Sequence, residues 1–176
     1  MHSSVSDCER LLQRSRGASL FYAVQIVAGN VDDETWCNLL FKRIADGPSE
    51  GTEYIFSALA TSGVALPLIT GDVVTAALRS ESAMLVEAAA KLGRKWLGQG
   101  GFVDVDLVKV ALRFYTESAR TSRGPQRVTA VREELTELLL ASGFIDDGLL
   151  TEALSDSVSS VQAPAGEIRI APDETE

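Results

Sequence analysis

The feature that most constrains the fold is a run of eighteen residues without a charge, from Tyr54 to Gly71. Its length is at the lower limit for a helix that crosses a bilayer. However, the run contains several serines and threonines, two glycines and a proline, and few large aliphatic residues. A helix that is apolar on all sides without being strongly hydrophobic is typical of the centre of a helical bundle. The run therefore predicts a buried central helix and no integral membrane span.

Helical signals dominate the remainder of the chain, and only a short segment at 167–170 resembles a strand. The apolar residues recur at spacings of three and four, which is the period of a helix packed on one side. We predict helices after a capping box at residues 6–9, over 18–28, from Asp32 or Asp33 to Asp46, over 52–66, over 73–97 with a break near 80–82, from Asp104 or Asp106 to 120, and over 129–142. On the 104–120 helix we expect an apolar side of Leu107, Val110, Ala111, Phe114 and Tyr115. The fold class predicted is all-α.

The charge distribution divides the chain into a body and a tail. The net charge is −9, and residues 143–176 alone contain eight acidic residues and one arginine. Too few apolar residues follow position 155 to offset the entropy of ordering that segment. We predict a helical core domain over 5–122, one or two accessory helices within 123–155, and a disordered acidic tail over 156–176.

The residues needed for most catalytic and metal sites are missing from the sequence. The single histidine is His2, and the two cysteines, Cys8 and Cys37, lack the paired spacing of a zinc site. A histidine general base, a catalytic triad and a histidine-containing metal centre are therefore excluded. We expect a protein that is not an enzyme, with no cofactor and no metal. The nearly neutral body offers no basic surface for nucleic acid, and two unpaired cysteines with a polar N-terminus favour an intracellular protein.

Two glycine-bearing motifs stand at a defined separation. The first is Asp46-Gly47-Pro48-Ser49-Glu50-Gly51, directly before the uncharged run, and the second is Trp96-Leu97-Gly98-Gln99-Gly100-Gly101-Phe102. Trp96 follows Gly51 by 45 positions, which is long enough for a helical hairpin. A glycine at such a point lets two elements approach closely, because no side chain lies between them.

These motifs resemble the first and second homology motifs of the Bcl-2 family of apoptosis regulators. The opening Asp7-Cys8-Glu9-Arg10-Leu11-Leu12, followed by Ser15, Gly17, Ser19 and Phe21, is similar to that of the adenovirus early-region small T antigens within this family. The resemblance implies a Bcl-2-like bundle, in which a central apolar hairpin is wrapped by amphipathic helices and a hydrophobic groove remains on the surface. It assigns residues 54–69 to the buried central helix and 73–96 to its antiparallel partner.

The resemblance also implies a function. It predicts a viral inhibitor of host apoptosis in the host cytoplasm, recruited to mitochondrial or nuclear membranes through partners, that binds the death-motif helix of Bak, Bax or Bim-type proteins. The residues expected at the partner are Leu39, Leu40, Gly47, Gly51, Tyr54, Ile55, Phe56, Trp96, Gly100 and Gly101.

Two residues depart from the family pattern. Thr52 stands where the family usually has an arginine that pairs with the bound helix, and Glu50 stands where cellular members have tryptophan. A charge-assisted anchor is therefore missing at this position. The alternative interpretation is an all-helical scaffold or adaptor unrelated to apoptosis, which would associate with itself through the helix over 129–142 or bind a partner's helix.

Overall fold

The computed structural model describes residues 4–45, 49–121 and 125–143, together with residue 148. Within these residues the chain forms eight α-helices and no strand, so the predicted all-α class is confirmed. The helices are α1 Val5–Arg14, α2 Ala18–Ala28, α3 Asp33–Ala45, α4 Thr52–Thr61, α5 Thr70–Leu78, α6 Ala83–Gly98, α7 Val105–Thr121 and α8 Pro125–Ala141. Gly47 and nearly all of 144–176, including the predicted acidic tail, lie outside the described residues.

Short polar side chains cap the N-termini of several helices. Asp32 caps α3 by accepting hydrogen bonds from the Thr35 backbone N–H at 2.8 Å and from its hydroxyl at 2.9 Å. The hydrogen bond from the Thr35 N–H lowers the pKa of the Asp32 carboxyl. Asp104 caps α7 through the Leu107 N–H at 3.2 Å. The capping box of α1 consists of Ser4 and Asp7, so the box predicted at Ser6 was placed two residues too late.

Helix α6 is the centre of the bundle. It packs most closely on α4, α5 and α8, and Val86, Ala89, Ala90 and Leu92 are fully buried along it. At Gly93 a side chain would meet Leu138 of α8 at 3.2 Å and Val74 of α5 at 3.4 Å. The absence of a Cβ there lets two neighbouring helices approach the same point of α6.

The predicted central hairpin differs from the observed helices. Helix α4 ends at Thr61 instead of continuing to residue 66, whereas the predicted partner over 73–97 consists of two helices, α5 and α6, separated at the predicted break near 80–82. The early end of α4 has a polar cause, because its last carbonyls find side-chain donors. Lys95 Nζ donates to the carbonyls of Leu59 at 2.7 Å and Ser62 at 2.6 Å, so the chain leaves the helix without losing hydrogen bonds.

The buried side of α7 agrees with the predicted one at Ala111 and Tyr115 and differs from it elsewhere. Val108, Ala111, Leu112 and Tyr115 are buried, whereas Val110 is 61% exposed and Phe114 60% exposed. The predicted and observed stripes are adjacent on the helix surface, and both have helical spacing. Helix α8 agrees with prediction, since Val131, Leu135, Leu138 and Leu139 form its buried side. That side packs against α6 and α7 of the same chain.

Among the described residues, no helix combines the length and the apolar character needed to cross a bilayer.

Candidate functional site

An open cleft of about 470 Å³ lies between α4 and α5 and extends to the end of α3 and the start of α6. Its volume falls within the range of roughly 300–1,000 Å³ that is typical of ligand-binding clefts. The lining is largely apolar. Its residues are Ile44, Thr52, Phe56, Ile69, Asp72, Val73, Ala76, Ala77, Arg79, Ser80 and Leu85.

One wall of the cleft is a single stripe along α5. The stripe consists of Ile69, Asp72, Val73, Ala76, Ala77 and Ser80. These positions follow one another at steps of three and one, which places them on the same side of a helix. Helix α5 has nine residues, so at 1.5 Å per residue it is about 13 Å long, or two and a half helical turns, and Ile69 and Ser80 flank its two ends. The cleft is therefore elongated along a helix axis, and it matches the shape of another helix better than that of a compact ligand.

Polar contacts from α6 hold α5 apart from α4. The segment that joins them, residues 62–69, is fixed at its start by Lys95, whose Nζ also contacts Ser62 Oγ at 2.9 Å. It is fixed in the middle by Gln99, whose Oε1 accepts a hydrogen bond from the Leu66 N–H at 2.8 Å. Two side chains one turn apart on α6 thus determine where the chain can begin α5.

A buried arginine organises the opposite end of the cleft. Arg43 of α3 donates from Nε to the Leu12 carbonyl at 3.2 Å and from a terminal nitrogen to Ser49 Oγ at 2.6 Å. Ser49 in turn donates its backbone N–H to Thr52 Oγ1 at 2.9 Å, and Thr52 lines the cleft. This network links the end of α1, the turn before α4 and the cleft. It also gives Thr52, the residue that departs from the family pattern, a structural role in the turn.

Gly51 is in contact with another glycine of the same chain. It has φ +93°, and a Cβ there would lie 2.7 Å from the Gly17 carbonyl oxygen and 2.9 Å from the Gly17 nitrogen. The Gly17 N–H donates to the Glu50 carbonyl at 2.8 Å. The space beside Gly51, where we expected a partner's backbone, is therefore occupied by the turn between α1 and α2.

The second glycine motif ends α6 and packs around Trp96. Gly100, at φ +82°, donates its N–H to the Leu97 carbonyl, and Gly101 donates to the Trp96 carbonyl, both at 2.9 Å. This pair of bonds is a Schellman C-cap. A Cβ at Gly101 would overlap the Trp96 ring, and one at Gly71 would lie 3.4 Å from Trp96 Nε1. The three residues pack together, and none of them lines the cleft.

The structure does not bring the predicted partner-binding residues together on one surface. Leu39, Leu40 and Ile55 are buried in the core, so in this structure they are interior residues and do not line an open groove. Tyr54 is half-buried, and its ring lies edge-on to Phe21 at a centroid distance of 5.6 Å. Phe56 alone of the predicted set lines the cleft. Gly47 falls outside the described residues.

The sequence interpretation missed the α5 wall of the cleft. Its signal was present, because Ile69, Val73 and Ala76 recur at steps of four and three. The resemblance assigns residues 73–96 to the antiparallel partner of the central helix, and a helix packed in that position would have no open side. The charged residues Asp72 and Arg79 were therefore not considered as site residues.

No protein-family model matches the chain, and neither a curated protein nor a solved structure matches it. The site is consequently interpreted from the chain's own residues.

Proposed function

We propose that this chain is a non-catalytic inhibitor of host apoptosis, with a Bcl-2-like bundle, that holds the death-motif helix of a Bak- or Bax-type protein in the cleft between α4 and α5. The observation that carries the proposal is the apolar cleft along α5, which is lined by the residue that directly follows the glycine motif resembling the first homology motif of that family. Thr52 directly follows Gly51, and Phe56 is one turn further along α4. Both side chains line the cleft.

The shape and composition of the cleft support a helix as its occupant. An amphipathic helix inserts apolar residues at positions i, i+3 or i+4, and i+7 into a groove of matching length. The α5 wall offers apolar contacts over about two and a half turns, and Phe56 and Leu85 are the large buried side chains that such residues would meet. A partner bound here would bury apolar surface that the isolated chain leaves exposed to water.

The features of the chain give little support to an enzymatic function. Burial raises the pKa of the Cys37 thiol, so the reactive thiolate is disfavoured. Within the described residues, no group of three or more histidine, cysteine and acidic side chains is placed to bind a metal. Binding is therefore the activity we assign to the cleft.

The scaffold alternative has one observation in its favour. Phe21, Tyr22 and Ile26 are exposed on the outer side of α2, a helix without a charged residue. Such a surface is suited to contact with another protein. Self-association through the helix over 129–142 finds no such support, because its apolar side is buried against α6 and α7.

The proposal is tested by filling the cleft with a side chain. Ala76 is exposed in the last turn of α5 and lines the cleft, so Ala76→Trp should occupy the site without disturbing the core. We expect fluorescence anisotropy to detect saturable, micromolar or tighter binding of labelled Bak, Bax or Bim death-motif peptides to the parent chain. Ala76→Trp should weaken this binding at least tenfold.

The matched control is Ala28→Trp, at the exposed C-terminal end of α2, away from the residues that line the cleft. It should leave peptide affinity unchanged. If no death-motif peptide binds the parent chain, the apoptotic function is wrong. Sedimentation equilibrium of the parent and of Tyr22→Ser then tests the scaffold alternative, which requires self-association that this substitution weakens.

A further inference from the structure

Two opposite charges stand on the α5 wall of the cleft. Asp72 is in the first turn of α5, and Arg79 directly follows its last residue. The two are seven positions apart, which places them on the same side of the helix about 10 Å apart along its axis. Both side chains are exposed, and among the described residues neither forms a salt bridge or side-chain hydrogen bond.

The residues between these charges are apolar. Val73, Ala76 and Ala77 line the cleft between Asp72 and Arg79, and Phe56 of α4 also lines it. Along the wall the order is therefore acid, apolar surface, base, over two helical turns. Charges at the rim of an apolar site select partners with complementary charges, and they do so more strongly than they raise affinity.

We infer that the cleft selects an amphipathic helix of a partner that carries a basic residue opposite Asp72 and an acidic residue opposite Arg79, about two turns apart, with apolar residues between them. The inference rests on the proposed function and narrows its partner class. The positively charged side chain at the cleft is then Arg79, next to α5, whereas Thr52 lines the cleft from α4.

The chain's own C-terminal segment does not fit this description. Residues 144–176 contain a single base, Arg169, and the one acidic residue seven positions from it is Glu176. Pro172 stands between the two. A proline removes a backbone donor from a helix and clashes with its preceding turn, so the sequence between these two charges does not match the pattern required of the occupant. A partner's helix is the better occupant.

A structural role for the two charges predicts a different result. Asp72 and Arg79 are placed to complement the dipole of α5, since acids favour the N-terminal turn and bases the C-terminal turn. If that were their whole role, their substitution would change the melting temperature slightly and leave the choice of peptide unchanged. Peptide selectivity is therefore the informative readout.

The experiment uses two labelled, helix-forming peptides with the same leucine face. One carries an acid and a base two turns apart, and the other carries two bases at these positions. We expect the parent chain to bind the acid–base peptide about fivefold to tenfold more tightly, with the ratio falling as salt increases. Arg79→Glu makes both rim charges negative, so it should reverse the preference. The two peptides differ in how many acidic and basic residues they carry and not in the order of these residues. The ratio of their affinities therefore does not depend on the direction in which the helix binds.

The control is Arg113→Glu, which makes the same change in net charge at an exposed position on α7. It should keep the parent's peptide ratio. An unchanged ratio in Arg79→Glu overturns the inference, and so does a parent chain that binds neither peptide. Circular dichroism melts of both variants check that the bundle remains folded.

The results also separate this inference from the proposed function. Suppose that a Bak peptide binds the parent chain, that Ala76→Trp weakens its affinity and that Arg79→Glu leaves its affinity unchanged. The function is then supported and the charge inference is wrong. If the designed peptides show the reversal while the Bak, Bax and Bim peptides do not bind, the inference is supported and the apoptotic function is wrong.

Discussion

The interface between α6 and α8 is closed, whereas the cleft between α4 and α5 is open, and the two regions are built differently. On the α8 side, Val131, Leu135 and Leu138 are fully buried. On the side of α4 and α5, Leu85 at the start of α6 lines a cleft of about 470 Å³. Apolar residues face each other in both regions. In the first the chain has buried them against itself, and in the second it has left them open.

Polar and glycine contacts account for this difference. Gly93 lets Leu138 of α8 approach the axis of α6, and Arg94 forms ion pairs with Glu134 and Glu137 across the same interface. On the other side, Lys95 in the last turn of α6 donates a hydrogen bond to the segment between α4 and α5, and the C-cap residue Gln99 accepts one from it. The cleft is therefore maintained by specific hydrogen bonds and does not result from a shortage of apolar residues.

The largest difference in stability is expected between two alanine substitutions that remove the same number of side-chain atoms, one in each region. Leu138 is 0% exposed and Ile69 is 47% exposed at the cleft. We expect Leu138→Ala to lower the free energy of unfolding by roughly 3–5 kcal/mol, because it leaves a cavity in a region that cannot collapse. Ile69→Ala should cost less than about 1 kcal/mol. Urea denaturation of both variants measures the two values, and equal losses would mean that the cleft is closed in solution.

A second test concerns the turn that forms the end of the cleft. Gly51 has φ +93° and touches the Gly17 backbone, whereas a Cβ at Gly63 would have nothing within 4 Å. Gly51→Ala should cost roughly 2–3 kcal/mol through backbone strain and displacement of the Gly17 turn. Gly63→Ala should be neutral or slightly stabilising, because it reduces the entropy of the unfolded chain. Thermal melts of the two variants make the comparison, and similar losses would contradict the contact with Gly17.

This geometry changes what a Gly51 substitution can report. The resemblance places Gly51 at the partner, so a charged side chain introduced by Gly51→Glu would be the obvious way to block partner binding. Since the site beside Gly51 is filled by Gly17, a glutamate there should disrupt the bundle itself. Loss of binding in that variant would not identify the groove, and Ala76→Trp is the better probe.

Much of the fold could be predicted because its signals are local. The bounds of α2, the break between α5 and α6 and the buried stripe of α8 all agree with expectation. Each depends on residues close together in the chain, such as the glycine that follows Ala28 or the serines near 80–82. The end of α4 could not be predicted, because it depends on Lys95, more than thirty residues away.

The cleft escaped prediction for a related reason. On α7, one stripe contains Val110 and Phe114 and the adjacent one contains Val108 and Leu112, and only the packing of the bundle decides which is buried. On α5 the opposite problem arose, because an apolar stripe looks the same whether it faces a neighbour or a cleft. Periodicity identifies a surface that can be buried, and tertiary contacts decide whether it is.

The smallest predicted effect sharpens the description of the closed interface. Lys91 of α6 donates to Glu87 at 2.7 Å and lies 3.5 Å from Glu134 of α8, which also pairs with Arg94. The hydrogen bond to Glu87 raises the pKa of Lys91, and Glu134 adds to the shift. A raised folded-state pKa means that the stabilisation is complete below the ordinary lysine pKa of about 10.4 and is lost as the pH rises through the folded value.

We therefore expect Lys91→Met to be less stable than the parent by about 0.5 kcal/mol from pH 7 to 9, with the difference shrinking as the pH rises from the ordinary lysine pKa through the raised folded-state pKa. Urea denaturation across this range measures the difference. Lys91→Arg is the control, because a guanidinium stays charged throughout and should keep its ion pairs at pH 11. If the parent and Lys91→Met differ by the same amount at pH 8 and pH 11, the lysine acts through the packing of its methylene groups. The Lys91 ion pairs would then add nothing to the α6–α8 interface, which would depend on its apolar contacts and on the ion pairs of Arg94 with Glu134 and Glu137.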